Sequence, residues 1–162
     1  RSFWGIVEDW ERVRYADHLL EIALELFPQG GGKPRAFEVL LRGMRSIADG
    51  DSPPEAARKA EAEFLAIGGW GPDLSGCRKC GEREGRSFRF LDSEGGVLCE
   101  ACTPMGGVPL SLGAVKTWRA LQSGSAAGRG RLRIPVVIAE ELRSVIPGYV
   151  EYCLGKKLRS LG

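Results

Sequence analysis

The stretch GCRKCGEREGRSFRFLDSEGGVLCEAC, residues 76–102, decides how the middle of this chain folds. It contains two C-x-x-C pairs, and 18 residues separate the pairs. Two residues between cysteines allow one tight turn to aim both sulfurs at a single ion, and the longer spacing is typical of four-cysteine zinc sites. The sequence therefore predicts one structural Zn²⁺ ion, held by Cys77, Cys80, Cys99 and Cys102.

The residues between the two pairs favour a short β-hairpin. Residues 87–91 and 96–99 have the character of strands, and the Ser-Glu-Gly-Gly run at 93–96 is a suitable turn. Strand, turn and strand between two metal knuckles is the layout of a zinc ribbon. Four thiolates would leave no coordination position open for water or substrate, which indicates a structural site and not an enzyme. The alternative is a pair of redox or disulfide-forming motifs, but no βαβ pattern surrounds them.

Three amphipathic helices precede the ribbon, so residues 1–76 are expected to form the first part of a helical domain. We predict helices over residues 6–27, over residues 35–48 and after Ser52, where Glu55 completes a capping box. The inward-facing stripe of the first helix is expected to comprise Trp10, Val13, Leu20, Leu24 and Phe27, widened by Ala16, Leu19 and Ala23.

Residues 103–162 are expected to form the second part of the same helical domain, after the insert at 77–102. Residues 104–109 have the composition of a linker, and Ser111 can cap the next helix. A last helix begins near residue 136, and Pro147 predicts a kink or a break in it. The predicted fold class is mainly α, a helical bundle with an inserted four-cysteine zinc ribbon.

Charge is distributed unevenly along the chain. The formal net charge is +2, but residues 1–76 carry −4 and residues 77–162 carry +6. A basic half beside an acidic half is compatible with a polyanion-binding face, and chance variation of solvated helices is the alternative. The cations that we expect to contact nucleic acid are Arg78, Lys79, Arg83, Arg86, Arg89, Arg129, Arg131, Arg133, Lys156 and Lys157.

A second candidate site lies on the third predicted helix. Arg58 and Lys59 next to Phe64 would suit an acidic, partly apolar peptide, although such a cationic pair is more commonly a solvated surface. His18 is the one histidine of the sequence. It is expected on a helix surface or between helices and receives no role. Cys153 is expected to be a small buried hydrophobe, with a role as a metal ligand as the alternative.

No apolar run is long enough to cross a bilayer, and the first residues do not form a leader peptide. We therefore expect a cytoplasmic location with no membrane association. Because the chain starts at Arg1 and not at a methionine, it is expected to be part of a longer protein.

Four runs, GWGPDLSGCRKCG, FLDSEGGVLCEAC, PLSLGAVKTWRAL and YVEYCLGKKLRSL, resemble in order the C-terminal region of the bacterial DNA repair protein family RecO. The resemblance covers nearly the whole chain, and nothing resembles the N-terminal oligonucleotide-binding barrel of that family. Two positions depart from the family pattern. Cys153 stands where a histidine is common, and Pro147 interrupts a helix that is usually continuous.

The resemblance implies a recombination mediator of DNA repair after DNA damage, located with the bacterial nucleoid. Its members bind single- and double-stranded DNA, anneal complementary strands, and act with RecR in the loading of RecA. They also dock the acidic tail of the single-stranded-DNA-binding protein, and the basic position involved corresponds to Arg58. The family's zinc ligands correspond to the four ribbon cysteines. The alternative function is a zinc-stabilised interaction scaffold without significant DNA affinity of its own.

Overall fold

The computed structural model describes residues 3–28, 33–103, 105–124 and 133–160. It is mainly helical with one small antiparallel sheet, and this confirms the expected fold class. In chain order the elements are α1 (Trp4–Val7), α2 (Trp10–Leu26), α3 (Pro34–Ala48), α4 (Pro53–Gly68), β1 (Ser87–Leu91), β2 (Gly96–Cys99), β3 (Val108–Ser111), α5 (Leu112–Gln122) and α6 (Val136–Leu154).

Helix α4 lies at the centre of the bundle, in contact with α2, α3, α5 and α6. The neighbouring helices can approach closely because the buried face of α4 carries small side chains. These are Ala56, Ala57, Ala60 and Ala62. The helix begins after Ser52 as predicted, but the Ser52 side chain makes no capping hydrogen bond, so the predicted capping box is wrong. It ends at Gly69, whose left-handed backbone (φ 88°) suits glycine.

The predicted first helix is in fact two helices, α1 and α2. Asp9 separates them because its carboxylate caps α2, accepting the backbone N–H groups of Glu11 (2.7 Å) and Arg12 (3.3 Å). The predicted inward stripe was right at Ala16 and Leu19, which are buried, and wrong at Trp10 and Leu24, which are 76% and 69% exposed. The α2 residues that are buried are Ala16, His18, Leu19, Ile22 and Leu26. Two apolar stripes run along this helix, and α3 and α4 cover the second one.

The sheet has the strand order β2-β1-β3 and is antiparallel throughout. Strands β1 and β2 have the predicted bounds, and Phe88 pairs with Cys99 across them. A 3-10 turn at Asp92–Glu94 followed by Gly95 (φ 55°) joins the two strands. The prediction of a linker at 104–109 was wrong for its last two residues, because Val108 and Pro109 belong to β3, which pairs with β1. An edge strand tolerates Pro109, because its missing N–H need not serve a second neighbour.

The ribbon and the bundle share one hydrophobic core. The Phe90 ring from β1 lies 4.8 Å from the Trp118 ring of α5 and 5.0 Å from the Tyr149 ring of α6, measured between centroids. Strand β3 leads directly into α5, which Ser111 caps as predicted by accepting the N–H of Ala114 (3.1 Å). The ribbon is therefore held against α5 and α6, while its boundaries as a separate unit stay a prediction.

Helix α6 continues through Pro147 from Val136 to Leu154, so of the two expected outcomes the break does not occur, and the kink stays a prediction. Buried side chains on both sides of the proline hold the two halves against the core, and they are Leu142, Val145, Ile146, Tyr149 and Val150. Packing thus outweighs the lost backbone hydrogen bond. Among the described residues, none of the helices combines the length and hydrophobicity needed to span a membrane.

Candidate metal centre and anion pocket

The four ribbon cysteines meet at one point. Their sulfur atoms all lie within 4.8 Å of one another, and the Cys80 and Cys99 sulfurs are 3.6 Å apart. Tetrahedral zinc with Zn–S bonds of about 2.3 Å requires sulfurs about 3.8 Å apart, whereas a disulfide requires about 2.05 Å. All four are free thiols. The cluster therefore has the dimensions of a metal site and not of two disulfides.

Backbone hydrogen bonds set the sulfur positions. In the first knuckle the N–H of Gly81 donates to the Cys77 carbonyl (2.8 Å), and Gly81 adopts φ 80°, which its lack of a side chain permits. In the second, the N–H of Cys102 donates to the Cys99 carbonyl (3.1 Å) at the end of β2. The hydroxyl of Thr103 donates to the same carbonyl (2.6 Å). Hydrogen bonds thus close both turns and place each pair of sulfurs on one side of its turn.

The electrostatics of the cluster favour a cation. Burial raises the pKa of Cys77, but backbone N–H groups of Cys80, Cys99 and Lys79 lower it more, to about 6. Beside that thiolate, the Cys80 and Cys99 side chains and then burial raise the pKa of Cys102 to about 12. The Cys77 thiolate thus forms readily, whereas hydrogen bonds with neighbouring thiols favour the protonated form of Cys102; a bound divalent cation would favour the deprotonated form of all four. The sulfur-only donor set therefore fits a structural metal ion.

Cys153 lies outside this cluster, half-buried on α6. Burial raises the pKa of its thiol, so it is a poor thiolate donor. This agrees with the expected packing role.

The ribbon cations differ in how they are engaged. Arg78 forms an ion pair with Asp73 (2.8 Å), whose pKa is lowered by hydrogen bonds from Ser75 and, less strongly, by Arg78. Arg89 donates to the carbonyls of Gly106 and Gly107 (3.0 and 2.9 Å) and makes no ion pair with a described residue.

The other cations predicted to contact nucleic acid differ in whether a carboxylate neutralises them. Lys79 reaches the Cys102 carbonyl at 3.4 Å, whereas Arg83 and Arg86 are exposed and make no ion pair with the described part of the chain. Carboxylates neutralise the last two cations, as Lys156 pairs with Glu25 and Lys157 with Glu151, both at 2.6 Å. Arg133 is exposed, and Arg129 and Arg131 lie outside the described residues.

The predicted peptide site lies beside a cavity of about 230 Å³ between the start of α4 and α6. We call it the anion pocket. Apolar side chains form its walls, namely Pro54, Ile134, Val136, Ala139 and Leu142. Two arginines, Arg58 and Arg143, and two glutamates, Glu55 and Glu140, also line it. Lys59 pairs with Glu55 at 3.7 Å. Phe64 is completely buried in the core, so the expectation that it faces a peptide was wrong.

A buried charge network lies behind the anion pocket. Arg58 is 5% and Glu61 0% exposed, and the Arg58 guanidinium donates to Glu61 Oε1 at 2.7 Å. The same oxygen is hydrogen-bonded to His18 Nε2, while His18 Nδ1 contacts the Ser160 hydroxyl at 3.0 Å. Arg58 Nε has no partner among the described residues. His18 is therefore the interhelical residue of the two expected alternatives. Its contact with Glu61 was not predicted from the sequence. The Arg58–Glu61 pair could have been expected, because residues three apart on a helix lie on the same face.

Comparison with known families adds to this geometry. The family model described as "Recombination protein O C terminal" matches residues 7–162. The chain belongs to the RecO family. The resemblance in the four quoted runs is thereby confirmed.

Two curated RecO proteins show how far the likeness extends. The DNA repair protein RecO of Dehalococcoides mccartyi is 28% identical over 163 residues, covering 99% of this chain and 64% of that protein. The DNA repair protein RecO of Moorella thermoacetica is 33% identical over 159 residues, covering 94% of this chain and 58% of that protein. The chain thus spans about three fifths of the curated RecO relatives that it matches.

Proposed function

We propose that this chain is the DNA-contacting and partner-docking region of a RecO-type DNA repair protein, stabilised by one Zn²⁺ ion. The observation that carries the proposal is the family match over residues 7–162, together with relatives named as DNA repair proteins. The four-thiol cluster supports a closed, structural zinc site, which has no open position for catalysis. The protein would act in the cytoplasm, at the nucleoid, and not as an enzyme.

The DNA-contacting role is assigned to exposed ribbon cations. Arg83 and Arg86 have no carboxylate partner in the described part of the chain, and Arg89 and Lys79 bond only to carbonyls in it, so all four keep their charge. Phosphate contacts by such residues give affinity without base readout, for single and double strands alike. Binding should therefore weaken steeply as salt increases.

Salt titration of a labelled single-stranded oligonucleotide tests this role. Each phosphate contact contributes about 0.7 to the slope of log K against log salt on single strands. The variant Arg83→Gln/Arg86→Gln should therefore lower the slope by about 1.4. The matched control Arg35→Gln/Arg45→Gln removes two exposed cations from α3 and should leave the slope nearly unchanged. An unaltered slope in the ribbon variant would remove Arg83 and Arg86 from the DNA contact.

The docking role is assigned to the anion pocket. Arg58 lines it with one N–H unused, and Arg143 adds a charge without an ion pair in the described part of the chain. An apolar side chain can enter the cavity while a neighbouring carboxylate meets the guanidinium groups. The acidic tail of a single-stranded-DNA-binding protein has this chemistry. RecR and RecA are further partners suggested by the resemblance.

Fluorescence anisotropy with an acidic peptide ending in two apolar residues tests the docking role. Arg143→Ala should weaken binding about tenfold, the effect of losing one charge-assisted hydrogen bond. Arg45→Ala, an exposed arginine on α3, is the control and should bind like the wild type. Arg58→Ala should abolish binding, with circular dichroism checking that the bundle persists. Wild-type affinity in both pocket variants would refute docking at this cavity.

A scaffold without DNA affinity is the second candidate. It is favoured by the ion pairs that neutralise Arg78, Lys156 and Lys157, and by the equal numbers of acidic and basic residues in the ribbon insert, 77–102. Peptide binding without oligonucleotide binding at low salt would select this candidate.

A further inference from the structure

We propose that residues 156–160, here called the return segment, hold Arg58 in position through the chain of contacts Ser160–His18–Glu61. Docking of this segment and binding of an acidic ligand in the anion pocket would then be thermodynamically linked. The proposal rests on the proposed docking function of the pocket, and it assigns His18, Glu61 and Ser160 as positioning residues.

The return segment is fastened to the bundle by backbone hydrogen bonds. After Gly155 ends α6, the chain turns back along α2. The Glu21 carboxylate on α2 accepts the N–H groups of Arg159 (2.9 Å) and Ser160 (3.0 Å). Glu151 accepts the N–H of Leu158 (3.0 Å), whose side chain is buried. These backbone hydrogen bonds hold the Ser160 hydroxyl in place, independently of its contact with His18.

His18 transmits that position to Arg58. Its ring contacts Ser160 Oγ through Nδ1 and Glu61 Oε1 through Nε2, so the ring is held at both nitrogens. Glu61 Oε1 in turn accepts from Arg58, and its other oxygen has no partner among the described residues. One carboxylate oxygen thus serves both His18 and Arg58. Since all three side chains are buried, water cannot replace a lost contact cheaply.

Ligand binding draws on the same arrangement. Arg58 must face the cavity in one orientation to meet a carboxylate, and Glu61 fixes that orientation in advance. If the return segment detaches, His18 loses its Nδ1 partner and Glu61 loses part of its restraint. Linkage is reciprocal, so a ligand that selects the ordered Arg58 must also favour the docked return segment.

The affinity of Ser160 variants for a peptide tests whether the return segment affects ligand binding in the anion pocket. The probe is a fluorescein-labelled peptide of three aspartates followed by leucine and phenylalanine with a free carboxylate. Ser160→Ala should weaken its binding about threefold, the worth of one neutral hydrogen bond, and Ser160→Thr should restore it. The matched control is Ser144→Ala, because the Ser144 hydroxyl donates only to the Glu141 carbonyl on the exposed side of α6. It should bind like the wild type.

Hydrogen exchange in the wild-type protein tests the reverse direction and requires no variant. Because the coupling factor is the same in both directions, saturating peptide should slow exchange of the Leu158, Arg159 and Ser160 amides by about threefold. Unchanged exchange together with wild-type affinity in Ser160→Ala would overturn the linkage while docking stands. If the peptide does not bind the wild-type protein at all, the docking function fails and the linkage with it.

Discussion

The buried network predicts a large penalty for removing Glu61. In the variant Glu61→Leu, Arg58 keeps its charge inside the protein but loses the carboxylate that accepts its N–H at 2.7 Å. His18 loses its Nε2 partner at the same time. Removing one member of a buried ion pair typically costs about 3–5 kcal/mol, because the remaining charge is left uncompensated. Both Glu61 and Arg58 are nearly inaccessible to water, so the full range applies here.

Urea denaturation followed by circular dichroism measures this penalty. With a slope of about 2 kcal/mol per molar urea, the loss corresponds to a fall in midpoint of roughly 1.5–2.5 M. The matched control is Glu63→Leu on the same helix. Its partner Arg42 has a side chain 44% exposed and can be solvated after the change, so we expect a loss of about 1 kcal/mol or less. Equal midpoints for the two variants would refute the reasoning, since burial would then make no difference.

Three further predictions concern the ribbon and its packing. Cys80→Ser should lower zinc affinity, and cobalt-substituted wild-type protein should show the absorption of four-sulfur coordination, which the variant loses. Phe90→Ala should destabilise the fold by about 3–5 kcal/mol in urea, because its ring fills the space between Trp118 and Tyr149. Ser75 and Arg78 lower the pKa of Asp73 below its usual value of 3.8. The ionised carboxylate therefore contributes its full stability above pH 3.8, and this contribution is lost as the pH falls through the lowered pKa. Asp73→Asn should therefore flatten the acid limb of a stability–pH curve.

The features of this fold that could be predicted are those determined by residues close together in the sequence. The hairpin at 87–99 follows from alternating side chains and a glycine turn, and the Ser111 cap follows from one residue. The metal cluster follows from cysteine spacing alone. Asp9 carried an equally local capping signal that would have separated α1 from α2.

Features that depend on several elements could not be predicted from local patterns. Helix α2 offers two apolar stripes, and the choice between them depends on how α3 and α4 pack, so Trp10 and Leu24 were placed on the wrong side. The burial of Arg58 and Phe64 depends on four helices meeting around α4. The contact between His18 and Ser160 joins positions 142 residues apart, which no window of sequence reveals.

The position of the ribbon between α4 and α5 has a consequence for how the chain folds. The bundle cannot close until the long segment 69–111 brings its ends together, since α5 and α6 both pack on α4. A metal ion that joins the two knuckles shortens the freely moving part of that segment and saves on the order of 1 kcal/mol of loop entropy. If an ion binds before the bundle closes, the shorter free loop should therefore hasten the docking of α5 and α6 on α4.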